Sequence, residues 1–189
     1  MRKLIADGAP AEHIYGLDKE AVFIDLGYEL FGDRKRLRSK FIAADITDPK
    51  ADLSALEGKM DILFVSSFLH LWNWEDQLKV ARRLVSLCVP KKGTLIVGRQ
   101  LATTVPGEYP LQGPKQLAFR HNVESLKEFW KQVGEETESE WKIEATLYMA
   151  PEVSKNTGQA WADPNMRMIQ FSVVREYGCN DEGAAHDKL

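Results

Sequence analysis

Two aspartates follow consecutive apolar runs near the start of the chain, and their position suits the binding of hydroxyl groups. Asp18 closes the predicted strand 14–17, and Asp45 closes the predicted strand 41–44. In doubly wound folds that bind nucleotides, a carboxylate at a strand end accepts hydrogen bonds from both vicinal hydroxyls of a ribose. Alternatively, each aspartate caps the helix behind it. Two such residues in succession favour the binding interpretation, although no Gly-rich phosphate or cofactor loop precedes them.

Two histidines have the chemistry of an acid-base group. An imidazole titrates near neutral pH and can orient or deprotonate an acceptor, so His70 and His121 are the candidate catalytic residues. His70 lies between two leucines, which equally fits a partly buried ring hydrogen-bonded to a neighbouring loop. For His121 the catalytic and the structural interpretations both stay open.

Three tryptophans, Trp72, Trp74 and Trp161, are candidate substrate-binding residues because they could line an apolar acceptor pocket. Scattered tryptophans more often pack in the core or at its rim. The structural alternative therefore stands beside the functional one for all three.

The elements that must position these residues alternate between strand and helix from residue 14 to residue 98. The central apolar run 62–65 is typical of a strand buried on both faces of a parallel sheet. Asn73 can cap the next helix, and the run 94–98 is the next strand. This alternation predicts an α/β fold with a Rossmann-like, mostly parallel sheet. Ligands of such sheets bind beyond the carboxyl ends of the strands, so we expect chemistry at residues 66–72.

The alternation ends after residue 100. Three prolines and two glycines between residues 101 and 116 predict a long loop that covers or shapes a site. A helix capped by Asn122 follows, and the alternating runs 141–148 and 167–174 predict an antiparallel pair of strands. Residues 176–189 are polar and lack periodicity, so we predict one domain over residues 1–175 and a disordered tail.

The totals argue against several classes of function. With 189 residues, 28% of them charged, and a formal net charge of −3, the chain has the composition of one globular domain without the basic surface of a nucleic-acid-binding protein. Two cysteines provide neither a disulfide framework nor a zinc site. No apolar run reaches membrane-spanning length and no signal-peptide pattern is visible. We therefore expect a cytoplasmic protein with no membrane partner and no metal.

Several segments follow one another in an order and spacing that resembles a known family. They are similar to the later sequence blocks of class I S-adenosylmethionine-dependent methyltransferases. The segments are IYGLD at 14–18, FIAADI at 41–46, MDILFVSSFLHLW at 60–72 and KKGTLIVG at 91–98. The fuller match resembles fungal methyltransferases of meroterpenoid and related secondary-metabolite pathways. It rests on FRHN at 119–122, FW at 129–130 and FSVVR at 171–175.

The resemblance implies roles for residues at the ends of three strands. Asp18 would bind the ribose of the cofactor S-adenosylmethionine, and Asp45 with Ile46 would flank the adenine. Ser66 and Ser67 would lie beside the methionine moiety and the acceptor. The reaction would be attack by a small-molecule acceptor, such as a carboxylate or hydroxyl of a polyketide-terpenoid, on the methyl group of the sulfonium.

One part of the family pattern is missing from the sequence. In the full fold, a first strand and its Gly-rich turn precede the helix that residues 1–7 resemble in part. That strand lies between the strands that end here at Asp18 and Val65, and its turn approaches the methionine part of the cosubstrate. The resemblance therefore implies an N-terminally truncated chain. It is either a fragment of a complete enzyme or a shortened paralogue in which those two strands pair directly and the binding of S-adenosylmethionine is impaired.

Two alternatives to methyl transfer follow from this departure. The first is a catalytically silent paralogue that binds a complete methyltransferase. The second is an isomerase or cyclase that reuses the acceptor pocket without the cofactor. Unpaired strands would also favour a homo-oligomer.

Overall fold

The computed structural model describes residues 1–111, 116–154 and 163–177. Contacts within the chain divide it into two units, Met1–Ala55 and Leu56–Leu189. Each unit combines helices with a pair of parallel strands.

The first unit is built on two parallel strands. Its elements in chain order are α1 (Arg2–Ala6), β1 (Tyr15–Asp18), α2 (Ala21–Phe31) and β2 (Lys40–Ala43). β1 and β2 pair with Tyr15 opposite Lys40 and with Asp18 opposite Ala43. α2 ends at Gly32, whose φ of 57° is left-handed and suits glycine because it has no Cβ. The parallel pairing is as predicted, and each strand begins within one residue of its predicted position.

The apolar side of α2 is exposed to solvent. The spacing of Phe23, Leu26 and Leu30 places them on one face of this helix, and the exposed fractions of these residues are 60%, 51% and 79%. Apolar periodicity identifies a helix face, but it does not show whether another element covers that face.

The second unit contains most of the buried core. Its elements in chain order are β3 (Ile62–Phe64), α3 (Trp74–Leu87), β4 (Leu95–Thr103), β5 (Gly107–Pro110), β6 (Leu117–Arg120), α4 (Val123–Glu136), β7 (Glu140–Tyr148), α5 (Pro151–Ser154) and β8 (Met166–Tyr177). Four strands form a sheet in the order β3-β4-β8-β7. β3 and β4 are parallel, whereas β8 runs antiparallel to both β4 and β7. The predicted strand-helix-strand unit and the antiparallel C-terminal pair are both present.

The long loop predicted over residues 101–116 is wrong in part. β4 continues through Thr103 because β8 supplies its hydrogen-bonding partners as far as Met166. β5 and β6 then form an antiparallel hairpin in which Gly107 lies opposite Arg120. Prolines suggested a loop, but Pro110 is the last residue of β5, a position that a strand tolerates.

The predicted burial of the central strand on both faces is also wrong. β3 lies at the edge of its sheet, where it pairs with β4 alone among the described strands. Ile62 and Phe64 are 62% and 74% exposed. A short apolar run has the same sequence pattern in a central strand and in an edge strand, so the sequence could not distinguish them.

The backbone at the carboxyl end of β3 approaches β4 unusually closely. A Cβ placed on Gly98 would lie 1.8 Å from the carbonyl oxygen of Val65. No side chain fits at that distance, so a residue without a Cβ is required at position 98.

Side chains cap both long helices of this unit. The side chain of Asn73 accepts a hydrogen bond from the Asp76 amide at the start of α3. Asn122 and Ser125 form a reciprocal capping box at the start of α4. Both predicted caps are confirmed.

The core of the second unit lies between its sheet and the helices α3 and α4. Its fully buried large residues include Leu78, Ile96, Leu126, Phe129, Trp130 and Ile169. Cys88 follows α3 and is a free thiol with 2% of its surface exposed. Burial raises the pKa of this thiol to about 12, although the charge of Arg175 lowers it.

None of the described helices is both long and apolar enough to cross a bilayer. β8 continues through Tyr177 and so includes the first two residues of the predicted tail. The rest of that tail, residues 178–189, lies outside the described residues.

Candidate functional site

In the first unit, the two predicted ribose- and adenine-binding aspartates lie at the carboxyl ends of two neighbouring strands. β1 ends with Asp18, and the Ala44 amide donates a 2.9 Å hydrogen bond to the backbone carbonyl of Asp18. Asp45 is the next residue of that chain segment. The predicted placement of both carboxylates at a shared carboxyl edge is therefore observed.

Each of these aspartates also stabilises a local turn. One side-chain oxygen of Asp18, Oδ1, accepts a 2.9 Å hydrogen bond from the Glu20 amide. Oδ1 of Asp45 accepts hydrogen bonds from the hydroxyl and the amide of Thr47, at 2.6 and 2.8 Å, and these bonds lower the pKa of Asp45. Within the described chain, no donor contacts the Oδ2 atom of either residue. One oxygen of each carboxylate thus serves the turn and the other can still accept a ligand hydrogen bond.

Ile46, the residue predicted to pack on an adenine ring, is 8% exposed. Only a small part of its side chain faces solvent. The neighbouring Asp45 is partly exposed.

In the second unit, the segment after β3 bends sharply at Ser67. The Ser67 amide donates a 2.7 Å hydrogen bond to the carbonyl of Arg99, which extends the pairing of β3 with β4 past Phe64. Ser67 has a φ of 52°, in the left-handed region that a serine seldom adopts. Ser67 is exposed and Ser66 is partly buried. Strained backbone at a strand end is a common feature of functional sites.

His70 lies on the short 3-10 turn Leu69–Leu71, immediately after this bend. Its Nδ1 atom is buried and has no hydrogen-bond partner within the described chain. Burial lowers the pKa of His70, and the positive charge of Arg120 lowers it further. The ring is therefore neutral at neutral pH, and Nδ1 can donate to or accept from a bound molecule, depending on its tautomer.

His121 occupies a different environment. It is fully buried, its Nε2 lies 3.1 Å from Oε1 of Gln77, and its Nδ1 lies 3.2 Å from the Ser125 hydroxyl. The amide nitrogen of Gln77 donates to the carbonyls of Trp72 and Phe119, both at 2.8 Å. Oε1 of Gln77 must then accept from Nε2–H of a neutral His121.

This arrangement holds the His121 ring on both sides. Burial lowers its pKa to about 3, so the imidazole stays neutral at physiological pH. The geometry supports the structural interpretation of His121, and its predicted catalytic role remains a prediction without support from this arrangement.

Two of the three predicted pocket tryptophans, Trp72 and Trp74, lie within the described residues. Trp74 packs against Phe119, His121 and Phe129, with ring centroids 4.9, 5.4 and 5.5 Å away, and its Nε1 donates to Gln132. These contacts make Trp74 part of an aromatic cluster, although it is itself partly exposed. Trp72 contacts Phe68 edge-on at 4.9 Å and stays partly exposed. Trp161 lies outside the described residues.

Arg120 and the residues around it were not predicted from the sequence. The Arg120 guanidinium lies over the Tyr109 ring, 4.6 Å from its centroid, and its Nη1 is 3.6 Å from Oδ2 of Asp163. Only 12% of the Arg120 side chain is exposed. The signal was present in the segment FRHN, where an arginine adjoins His121. Its partners could not be found because they come from distant parts of the chain.

The sequence and the structure were compared with those of known proteins. No protein-family model matches the sequence. The chain is 39% identical to O-methyltransferase atr3 of Stereocaulon alpinum over 177 residues, which are 93% of this chain and 50% of the relative. It is 36% identical to the Asnovolin E/Chermesin D methyltransferase of Aspergillus novofumigatus, over 76% of this chain and 52% of the relative. The resemblance to fungal methyltransferases is confirmed.

The methyltransferase resemblance has a defined extent. This chain spans about half the length of the curated methyltransferases that it matches. Solved structures of the same fold include a Haemonchus contortus phosphoethanolamine N-methyltransferase, with a TM-score of 0.65 and 14% identity over 93% of this chain and 45% of that chain. The [4+2]-cyclase SpnF matches with a TM-score of 0.61 and 13% identity, over 93% of this chain and 70% of that chain. The Rossmann-like α/β fold class is therefore confirmed.

Proposed function

We propose that this chain is part of an enzyme that transfers a methyl group from S-adenosylmethionine to a small-molecule acceptor in fungal secondary metabolism. The observation that carries the proposal is the pair of carboxylates at one edge of the first unit. Asp18 and Asp45 each keep one oxygen without a donor among the described residues, as the ribose and adenine of a nucleoside require. The names of the relatives support the same reaction class.

Each candidate residue of this chain would have a binding role set by its position in the fold. Asp18 accepts hydrogen bonds from the ribose hydroxyls, Asp45 accepts one from the adenine amine, and Ile46 packs beside the ring. Bound S-adenosylmethionine supplies an electrophilic methyl group on its sulfonium. Ser66, Ser67 and His70 follow β3 in the second unit, where they would contact the acceptor.

We also propose that the acceptor is a polyketide-terpenoid carboxylate or hydroxyl and that the enzyme works in the cytoplasm. A carboxylate is already ionised at neutral pH, so it needs no strong base to become a nucleophile. This agrees with the burial of His121, which is held neutral inside the core. A free buried cysteine agrees with a reducing compartment.

Adenosine is the sharpest probe of this proposal because it contains the two groups that the aspartates would bind and lacks the methionine moiety. We expect adenosine to shift the amide resonances of Asp18, Asp45 and Ile46 in a nuclear magnetic resonance titration. Asp18→Ala should weaken its binding by roughly 1.5 to 3 kcal/mol, the range for hydrogen bonds to a charged group.

Asp52→Ala is the matched control. Asp52 is an exposed aspartate of the same unit, and its Oδ1 accepts the amide and hydroxyl of Ser54 as Asp45 accepts those of Thr47. It does not end a strand, so its replacement should leave adenosine binding unchanged. Equal affinities in the wild type and Asp18→Ala would return Asp18 to a turn-forming role.

The same titration separates the alternatives to methyl transfer. A catalytically silent binding partner and a cofactor-independent cyclase both predict no adenosine binding at these aspartates. The structural match to SpnF shows that a cyclase has this fold, and carries no argument about the reaction of this chain.

A further inference from the structure

The Arg120 side chain has an unusual combination of burial and unused hydrogen-bonding capacity. Its side chain is 12% exposed, yet no described residue accepts a hydrogen bond from its guanidinium. Asp163 approaches only to 3.6 Å, which is an ion pair without a hydrogen bond. A guanidinium has five N–H donors, so this mostly buried side chain keeps donors that a ligand could engage. Burial indeed lowers the pKa of Arg120, while Asp163 and Tyr109 raise it.

Two neighbours fix the orientation of this guanidinium. Its face lies over the ring of Tyr109, whose hydroxyl donates a 2.6 Å hydrogen bond to the carbonyl of Val105. Asp163 holds one edge of the guanidinium from the other side. Stacking occupies the face and leaves the N–H groups at the edge for a ligand.

His70 lies in the segment next to Arg120. The Phe119 amide donates a 2.9 Å hydrogen bond to the carbonyl of Trp72, which joins β6 to the end of the turn that carries His70. The charge of Arg120 reaches the imidazole. Nδ1 of His70 is a buried polar atom that no described residue contacts by a hydrogen bond.

We propose that Arg120 and His70 form an anion-binding subsite, in which the guanidinium edge and the His70 imidazole hydrogen-bond to the carboxylate of a small organic ligand. A carboxylate matches the planar guanidinium fork with two parallel hydrogen bonds. This inference rests on the proposed function, in which the ligand is an acidic acceptor. The methionine carboxylate of the cosubstrate has the same chemistry and is the other possible source.

Benzoate and benzamide are matched probes, because they have the same shape and differ in charge. We expect benzoate to bind the 189-residue chain more tightly than benzamide and to shift the side-chain resonances of Arg120 and His70. Arg120→Gln should weaken benzoate binding about tenfold or more, as the loss of charge-assisted hydrogen bonds predicts. Arg120→Lys should keep only part of the benzoate affinity, because an ammonium cannot form the two parallel hydrogen bonds.

Two further variants keep the test decisive if Arg120→Gln folds poorly. Asp163→Asn keeps the size of the side chain beside the guanidinium and removes only its negative charge, which would repel a carboxylate, so benzoate should bind this variant at least as tightly as the wild type. Arg167→Gln is the control, because the Arg167 guanidinium already donates to the backbone carbonyls of Pro164 and Met166. It should leave benzoate affinity unchanged.

The outcomes divide clearly. Equal affinities for benzoate and benzamide, or a benzoate affinity that Arg120→Gln leaves unchanged in a folded protein, would overturn the subsite. If Arg120→Gln weakens S-adenosylhomocysteine but not adenosine, the subsite is supported and its carboxylate is that of the cosubstrate. If it weakens benzoate alone, the acceptor is the source. Benzoate binding without adenosine binding would keep the subsite and remove the proposed function.

Discussion

His121 joins α3 to α4 through hydrogen bonds on both sides of its ring, whereas the Nδ1 atom of His70 is buried beside a charged arginine and has no hydrogen-bond partner within the described chain. The two rings therefore differ in the one property that matters for acid-base chemistry, which is the freedom to exchange a proton with a bound molecule. His70 keeps that freedom and His121 does not. Sequence alone weighed them nearly equally, because burial depends on contacts between distant segments.

The buried imidazole of His121 makes stability depend on pH. Its pKa is about 3 in the folded chain and about 6.5 in an unfolded one. Between these pH values only the unfolded state binds the proton. The contribution of His121 to the free energy of unfolding is therefore fully present above pH 6.5 and is lost as the pH decreases. We expect His121→Gln to reduce the loss of stability between pH 6.5 and 4.5 by roughly 2 kcal/mol.

Urea unfolding of the wild type and of His121→Gln at both pH values measures this difference. The carboxylates and His70 are present in both proteins, so their contributions cancel. Wild-type His121 should also show no imidazole titration above pH 5 by nuclear magnetic resonance. The same pH dependence in both proteins would mean that the ring is accessible to protons in the folded state.

At the level of elements, the contact between β3 and β4 depends on a single missing side chain. Gly98→Ala would place a methyl group against the backbone carbonyl of Val65, so the two backbones would have to shift apart at this point of the ladder. We expect a loss of about 1–3 kcal/mol, the usual cost of overpacking. It should appear as a lower urea midpoint with an unchanged slope.

Gly107→Ala is the matched control for this substitution. Gly107 also lies in a strand, but a Cβ there would have no neighbour within 4 Å. Its replacement should change the free energy of unfolding by less than about 0.5 kcal/mol. Similar losses at both positions would show that general strand propensity, rather than the close approach at Val65, sets the cost.

The elements that the sequence predicted well share one property, which is that local residues determine them. The caps at Asn73 and Asn122 and the strand-helix alternation are encoded within a few neighbouring residues. The errors came from pairing between distant segments. β8 extends β4, the hairpin β5–β6 replaces a loop, and β3 lies at an edge. The candidate residues follow the same rule, since the strand-end positions of Asp18 and Asp45 were predicted from local residues and the Arg120 cluster was not.

At the level of the whole molecule, the free edge of β3 is the feature most prone to association. Its backbone pairs on one side only within the described chain, and Ile62 and Phe64 are exposed beside it. An exposed apolar edge strand is a template for pairing with another chain. We therefore expect the chain to self-associate as its concentration rises, and Phe64→Lys to reduce this because a charge at the edge opposes pairing.

Sedimentation velocity over a range of concentrations measures the effect. Val105→Lys is the control, since Val105 is 55% exposed and precedes β5 in another part of the unit. It should associate as the wild type does. A wild type that stays monomeric at all concentrations would contradict the expectation.

Cys88 follows α3, and its backbone pairs with that of Met60 in an isolated β-bridge. Its side chain is buried, so the thiol reaches reagents only when that part of the second unit opens. At pH 8 a thiol with a pKa of about 12 is almost entirely protonated and reacts slowly even if it is touched. In a Cys179→Ser variant, which has one thiol, we expect iodoacetamide to alkylate Cys88 at a rate set by the fraction of molecules that are open. The rate should rise steeply with low urea, and rapid alkylation without urea would contradict the burial. The alkylation of Cys88, measured as a mass increase, thereby reports local opening in a population that still appears native.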